Sequence, residues 1–247
     1  MSEVAKANSK EFKRLLRKRI WDLMVKKGIA TFPLPPHGRI PNFIGAEEAA
    51  KRLQGMSIFK QADVIKVNPD SPQKSVRKLA LINGKTVVMP TPRLHGGFVV
   101  LDPDKIPARR FSFAATLKGG LQLGKECKLK DLPIIDLVVT GCVAVSLNGV
   151  RIGKGGGYSE LEYAILRELG LVSEKTPVIT TVHEVQVIDW APKEPFDLIV
   201  DVIVTPRRIL RVKGGGSRPP GVFWDLISEE LLEKMPVLRD LKSYRNR

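Results

Sequence analysis

An α/β domain built on a mostly parallel sheet flanked by helices is the architecture that this 247-residue chain predicts. Apolar, β-branched runs at 64–67 (VIKV), 86–90 (TVVMP), 136–146 (DLVVTGCVAVS), 178–189 (VITTVHEVQVID) and 197–206 (DLIVDVIVTP) are near-continuous rather than alternating. That is the pattern of strands buried on both faces of a parallel sheet. Segments with helical apolar spacing separate several of them. Finally, RIGKGGGYSELEY (151–163) places a glycine-rich loop between a strand run and a helix. Open sheets of this kind bind their ligands at the carboxyl ends of the strands.

Taken in order, residues 1–8 read as a flexible tail, 9–212 as one main domain, 213–221 as a Gly/Pro linker and 222–247 as a helical extension with a basic tail. From Ser9, the residues Phe12, Leu15, Leu16, Ile20, Leu23 and Met24 share one helical face, and Gly28 stops the helix. TFPLPPHGRIPNF (31–43) is too proline-rich for regular structure and too long for a casual turn, so it predicts a strap or an active-site wall. Its His37 belongs in solvent. A short helix follows over 46–54, then the first strand at 64–67, and Ser71-Pro72 opens a helix through Leu81. The strand 86–90 delivers Arg93 just past its carboxyl end, where it suits an anionic group. FVVLD (98–102) reads as a strand, FSFAATLKGG (111–120) as a short helix and the residues after it as a loop.

Residues 136–146 read as one continuous strand that feeds the central loop. Ser159 with Glu162 three residues on has the form of a capping box, after which Leu161, Ile165 and Leu169 carry a helix to Gly170. Another buried strand spans 178–189, and 209–212 closes the sheet. Leu231, Leu232, Met235 and Leu238 are spaced to pack back on the core, and the final SYRNR reads as disordered.

The 41 Lys and Arg residues against 26 Asp and Glu leave a formal net charge of +15. Much of the excess lies near the two ends, which fits a solvated surface better than specific nucleic-acid recognition; weak nucleic-acid contact through the basic termini is the sharper alternative. Neither zinc-finger spacing nor an RNA-binding aromatic motif supports that alternative. Two cysteines give no disulfide framework, three histidines are scattered, and no apolar run approaches a membrane span. A soluble, cytoplasmic protein is expected.

Glycines 153, 155, 156 and 157 let the backbone take positive φ and approach a ligand, while the amino end of the next helix favours an anion. Phosphate is the natural guest, with Arg151 and Lys154 beside it. The Walker and dinucleotide fingerprints both fail on spacing.

RIGKGGGY resembles the Arg-hydrophobic-Gly-x-Gly-Gly-Gly-Tyr signature of 5-formyltetrahydrofolate cyclo-ligases, also called methenyltetrahydrofolate synthetases. SELEYA after it, with Lys154 in the loop, is closer to the methenyltetrahydrofolate synthase domain-containing branch. RIPNF (39–43), GKTVVMPTPRL (84–94), DLVVTGCVAVS and TPVITTVHEVQVID (176–189) agree in order, so the likeness covers residues 10–212.

The resemblance implies a cyclo-ligase-like, Rossmann-like three-layer fold and an enzyme that uses ATP and Mg2+ to convert 5-formyltetrahydrofolate to 5,10-methenyltetrahydrofolate. It implies ATP contacts from Lys13, Arg17, Arg151, Gly153, Lys154, Gly155, Gly156, Gly157 and Tyr158, of which Arg151, Lys154 and Tyr158 are the catalytic candidates. On the folate side it implies Asp70, Tyr158 and Gln186, beside the Arg93 that its place past a strand end already put among the substrate-binding candidates, and for magnesium it implies Glu160. This chain departs from the family pattern at several positions. Asp70 stands for Glu, Gln73 for Thr, Ser146 for Asp, and Ser159 and Leu161 for the Tyr and Arg that follow the first Tyr of the signature. A non-catalytic nucleotide- or RNA-binding member of the family, and a ligase for a different pterin or formyl compound, are the alternatives.

Overall fold

The computed structural model describes residues 3–214 and 216–245, with side chains over 9–214 and 216–244. Helix α1 (Glu3–Lys26) leads into a two-stranded ribbon, β1 (Ala30–Thr31) and β2 (Asn42–Phe43), whose connection is the proline strap. There follow α2 (Ala46–Gln54), α3 (Ser57–Gln61), β3 (Val64–Val67), α4 (Lys74–Ile82), β4 (Thr86–Pro90) and β5 (Phe98–Leu101). Two short helices, α5 (Phe111–Ala114) and α6 (Leu117–Leu123), precede β6 (Lys125–Cys127), β7 (Leu137–Thr140), β8 (Ala144–Ser146) and β9 (Arg151–Ile152). Then come α7 (Tyr158–Glu168), β10 (Val178–Thr181), β11 (Val187–Ile188), β12 (Val202–Val204) and β13 (Ile209–Arg211), and finally α8 (Glu229–Lys234) and α9 (Pro236–Arg245).

The main sheet has eight strands in the order β13-β12-β10-β7-β3-β4-β5-β6. Neighbours from β12 to β4 pair in parallel, with Ile65 opposite Leu137 and Val138 opposite Val178, and the outer strands β13, β5 and β6 are antiparallel. Side chains alternate between two cores, as the period of a strand requires. Ile65, Val67, Leu137 and Val139 join Leu53, Val76 and Leu81 of α2 and α4 on one face. Val138 and Val178 join Tyr163, Ile165 and Leu166 of α7 on the other, where Leu232, Met235 and Leu238 of the C-terminal helices also pack. A third cluster sits beneath α1, around Ile20, Met24, Phe43 and Ile152. Burial of these apolar faces, about 25 cal/mol per Å², is what holds the layers together.

Several expectations need correction. The N-terminal tail is helical from Glu3, and Met1 and Ser2 lie outside the described residues. The run 136–146 is two strands in two sheets. β7 ends at Thr140, and β8 pairs instead with β9 and β11 in a three-stranded sheet. The break falls at Gly141, where an added Cβ would lie 2.5 Å from Gln73 Oε1 and 2.9 Å from Ile40 Cγ2. Only glycine lets the chain turn off the sheet beneath those side chains. The run 178–189 is likewise interrupted, by a single 3-10 turn at Glu184–Gln186.

The Gly/Pro stretch is firmly anchored rather than a free linker. Arg218 is buried and donates to the carbonyls of Ile199, Glu174 and Thr176 and to the Asp201 carboxylate. Beyond it, Glu168 on α7 accepts the Val222 N–H and the Trp224 indole N–H. Helix α9 runs to Arg245, so the described part of SYRNR is helical, while Asn246 and Arg247 lie outside the described residues. Among the described residues no helix is long and apolar enough to cross a membrane.

Candidate active site

The parallel strands follow one another in the chain as β3, β4, β7, β10 and β12, yet β3 lies between β4 and β7. The chain therefore winds first to one side of β3 and then to the other, and a crevice opens at this switch point beyond the strand carboxyl ends. A cleft of about 830 Å³ lies there. The loops after β3 and β4, the glycine loop before α7 and the strap 32–42 contribute its walls, which confirms the strap as a wall of the cleft.

Arg151 is a buried cation of the cleft. β9 presents it 2% exposed, with Nη2 2.9 Å from Glu160 Oε1 and Nη1 3.3 Å from Thr140 Oγ1. Its Nε is buried without a hydrogen-bond partner among the described residues. Glycines at 155 (φ +107) and 157 (φ +68) turn the loop over it, as only glycine does cheaply. Arg17 reaches in from α1 and donates from Nε to the Gly153 carbonyl at 2.7 Å, so the first helix braces the loop. Burial lowers the Arg17 pKa, and the Glu160 carboxylate opposes that shift. Across the cleft, Lys154 Nζ lies 3.8 Å from Asp70 Oδ1, so the loop's lysine and the β3-end carboxylate face one another. Arg93 lines the cleft in the left-handed region (φ 55), an uncommon conformation for a non-glycine residue. Tyr158 opens α7 at the rim.

The sequence-derived residues do not all meet there. Lys13 Nζ is held at 2.6 Å by Asp197 and at 2.8 Å by Glu194, buried with its charge already matched, and it does not line the cleft. Gly155 turns toward the Arg17 guanidinium rather than into the cleft. Gln186 is also absent from the lining. Its amide donates to the carbonyls of Cys142 and Val143 and its oxygen accepts the His183 N–H, so it clamps the break after β10 instead of touching a substrate. Glu160 is ion-paired with Arg151, and the described residues contain no cluster of three potential metal ligands. The capping box is absent too. α7 begins after Gly157 with no side-chain cap, and Glu162 turns inward.

That inward turn exposes what sequence reasoning missed. Ile65 and Val67 face one core, so Lys66 between them faces α7, where its Nζ meets Glu162 Oε2 at 2.5 Å. Asn68 accepts from Lys66 and donates to Glu162 at 2.9 Å and to Ser159 Oγ at 3.1 Å. Desolvation raises the Glu162 pKa, and Lys66 opposes the shift. Arg77, on α4, is buried and donates to the carbonyls of Asn68, Pro69, Asp70 and Ala115, fixing the loop that carries Asp70. A lysine inside an otherwise apolar strand was the available signal for this network. Arg77 had none, being one more cation on a basic helix.

The sequence profile of the 5-formyltetrahydrofolate cyclo-ligase family matches residues 9–206. The chain belongs to that family. It is 44% identical over 234 residues to a methenyltetrahydrofolate synthase domain-containing protein of Bos taurus, a match that covers 93% of this chain and 62% of the relative. The protein of the same description from Mus musculus is also 44% identical, over 93% of this chain and 63% of its own length. The chain thus spans less than two thirds of these relatives. The solved structure of 5,10-methenyltetrahydrofolate synthetase from Aquifex aeolicus superposes with a TM-score of 0.52 at 18% identity, covering 81% of this chain and 93% of that one, and so shares the fold.

Within the cyclo-ligase framework, two departures from the signature have a structural account. Ser146 is buried and donates to the Val150 carbonyl at 3.1 Å, closing the β8–β9 turn where the signature places an Asp. Leu161 packs against the α7 core in place of the signature's Arg.

The His183 break carries a pH prediction. His183 Nδ1 accepts the Val185 N–H at 3.2 Å, which requires a neutral nitrogen, and burial lowers its pKa below the ordinary 6.5. The unfolded chain therefore binds the proton first, and stability falls as pH drops through 6.5 toward the folded value. Urea midpoints measured between about pH 7.5 and pH 5.5 are expected to decline, with a shallower decline in His183→Asn. Equal slopes in the two proteins would remove His183 from the effect.

Proposed function

We propose that the protein catalyses ATP-dependent closure of 5-formyltetrahydrofolate to 5,10-methenyltetrahydrofolate, releasing ADP and phosphate. The observation that carries this reading is the buried Arg151, with an unpartnered Nε, beneath a glycine loop at the switch-point cleft. Family membership and the residues around the loop support it.

In this reading the loop amides at 153, 154, 156 and 157 and the amino end of α7 cradle the phosphates, and Arg151 and Lys154 neutralise their charge. Arg17 keeps the loop in place. The formyl oxygen attacks the γ-phosphorus as the bond to the ADP oxygen breaks. The second folate nitrogen then adds to the activated formyl carbon and gives up its proton, and phosphate leaves with the original formyl oxygen. None of these steps needs a protein nucleophile; positioning and charge neutralisation suffice. Asp70, Arg93 and Tyr158 face the folate half. Magnesium typically takes one or two carboxylates plus phosphate oxygens, so the single carboxylate of Glu160 fits such an ion. The ion would supply further neutralisation of the phosphates.

The test combines purified protein, 5-formyltetrahydrofolate, ATP and magnesium and follows the near-ultraviolet absorption of the methenyl product. Absorption that rises only with ATP is the expected result. A flat trace with ATP binding intact by calorimetry would overturn the cyclisation reading and leave a nucleotide-binding member of the family.

A further inference from the structure

The Lys66–Glu162 pair is an expensive feature for the floor of a sheet. Both side chains are almost fully buried, and well-packed apolar residues of similar volume serve a fold as well or better than a buried ion pair. The bonding around it is lopsided. Glu162 Oε2 takes both Lys66 and Asn68, whereas Oε1 has no hydrogen-bond partner among the described residues, and the residue lines the cleft. One turn earlier on the same face of α7, Ser159 Oγ accepts from Asn68, and its own O–H is not engaged by any described residue. It too lines the cleft. Asn68 thus holds a free acceptor and a free donor side by side, and Lys66 opposes the burial that raises the Glu162 pKa. With Ser159 and Glu162 both lining the cleft, a ligand there has access to the pair.

We propose that Ser159 and Glu162, positioned by Asn68 and Lys66, are a substrate-reading site that binds a lactam edge. The ring N–H donates to Glu162 Oε1, and the adjacent ring carbonyl accepts from Ser159 Oγ–H. This rests on the folate reading above, in which the lactam is the 4-oxo edge of the pterin ring. The pair would then orient the ring from beneath while Asp70 and Arg93 meet it from the loops, with the glycine loop holding ATP next to it. A site that supplies one donor and one acceptor also rejects the reversed pattern, because a mismatched ring leaves both protein groups unpaired.

Two variants and two probes test this. Ser159→Ala removes the donor. Lys66→Met combined with Glu162→Leu removes the acceptor while replacing both members of the ion pair, so that no uncompensated charge is left in the core. Affinities for 5-formyltetrahydrofolate and for its 4-amino analogue, whose edge is reversed, are measured by calorimetry, with ATP affinity as the control. The wild type is expected to favour the 4-oxo compound by about tenfold or more, and each variant to lose about tenfold in 5-formyltetrahydrofolate affinity and most of that preference, with ATP binding unchanged. If both variants bind ATP normally and 5-formyltetrahydrofolate as the wild type does, the lactam site is overturned and the folate reading survives. If the wild type itself fails to bind 5-formyltetrahydrofolate, the folate reading falls and takes the lactam assignment with it.

Discussion

Arg151→Ala is expected to reduce the kcat/KM of cyclisation by about a thousandfold or more and to weaken ATP binding, while the protein stays folded. The size follows from its surroundings. A guanidinium that is 2% exposed acts in a poorly screened environment, and it lies beside the glycine loop in the cleft lining. Removing it also leaves Glu160 without the partner now 2.9 Å away, so the phosphate site gains an unneutralised anion as it loses a cation. Arg151→Lys is expected to recover only part of the activity, because a point charge cannot reach Thr140 and Glu160 in the two directions that the guanidinium fork does. The absorbance assay and calorimetry with ATP read the two effects separately. An Arg151→Ala protein with wild-type ATP affinity would place the phosphates elsewhere.

Arg77→Ala is expected to lower stability by about 3–5 kcal/mol, read as a fall in the urea midpoint at constant slope. The side chain is fully buried, and burial holds its pKa down to about 10, against an opposing pull from Asp70. It therefore remains charged at neutral pH, and its partners are the carbonyls of Asn68, Pro69, Asp70 and Ala115. Alanine would leave those carbonyls without their donors at the wall of the cleft that Asn68, Pro69 and Asp70 line. Because the clamp fixes the segment bearing Asp70, folate affinity is expected to fall as well, even at denaturant-free conditions where the variant is folded. A loss below about 1 kcal/mol would mean that the loop satisfies its own carbonyls, and the clamp would carry no weight.

Much of this architecture was legible because it depends on local pattern. The strands at 64–67, 86–90 and 98–101 and the helix 46–54 lie where β-branched or amphipathic runs placed them. The glycine loop was readable because positive φ needs glycine wherever it occurs. What failed depended on partners remote in sequence. DLVVTGCVAVS has the composition of one strand, and only the approach of Gln73 and Ile40 to Gly141 divides it. Ser159 and Glu162 have the spacing of a capping box, yet Lys66, 96 residues from Glu162, draws the carboxylate inward. Lys13 and Arg17 share a helix face in the sequence, but Asp197 takes the first while the Gly153 carbonyl takes the second. In the same way, Gly and Pro over 213–221 suggested slack, whereas the one arginine among them anchors the chain.

The open ends of the main sheet bear on how the protein behaves at high concentration. β6 and β13 are its two borders, each three residues long. An unpaired border invites another chain to add a strand, and short, charged borders discourage it. β6 carries Lys125 and Glu126, both exposed, and β13 ends in Arg211 with Arg208 just before it. Two copies meeting at the β13 border would bring like charges together in a molecule whose net charge is already +15. The basic surplus thus guards the sheet against edgewise association, and added salt, by screening it, removes part of that protection.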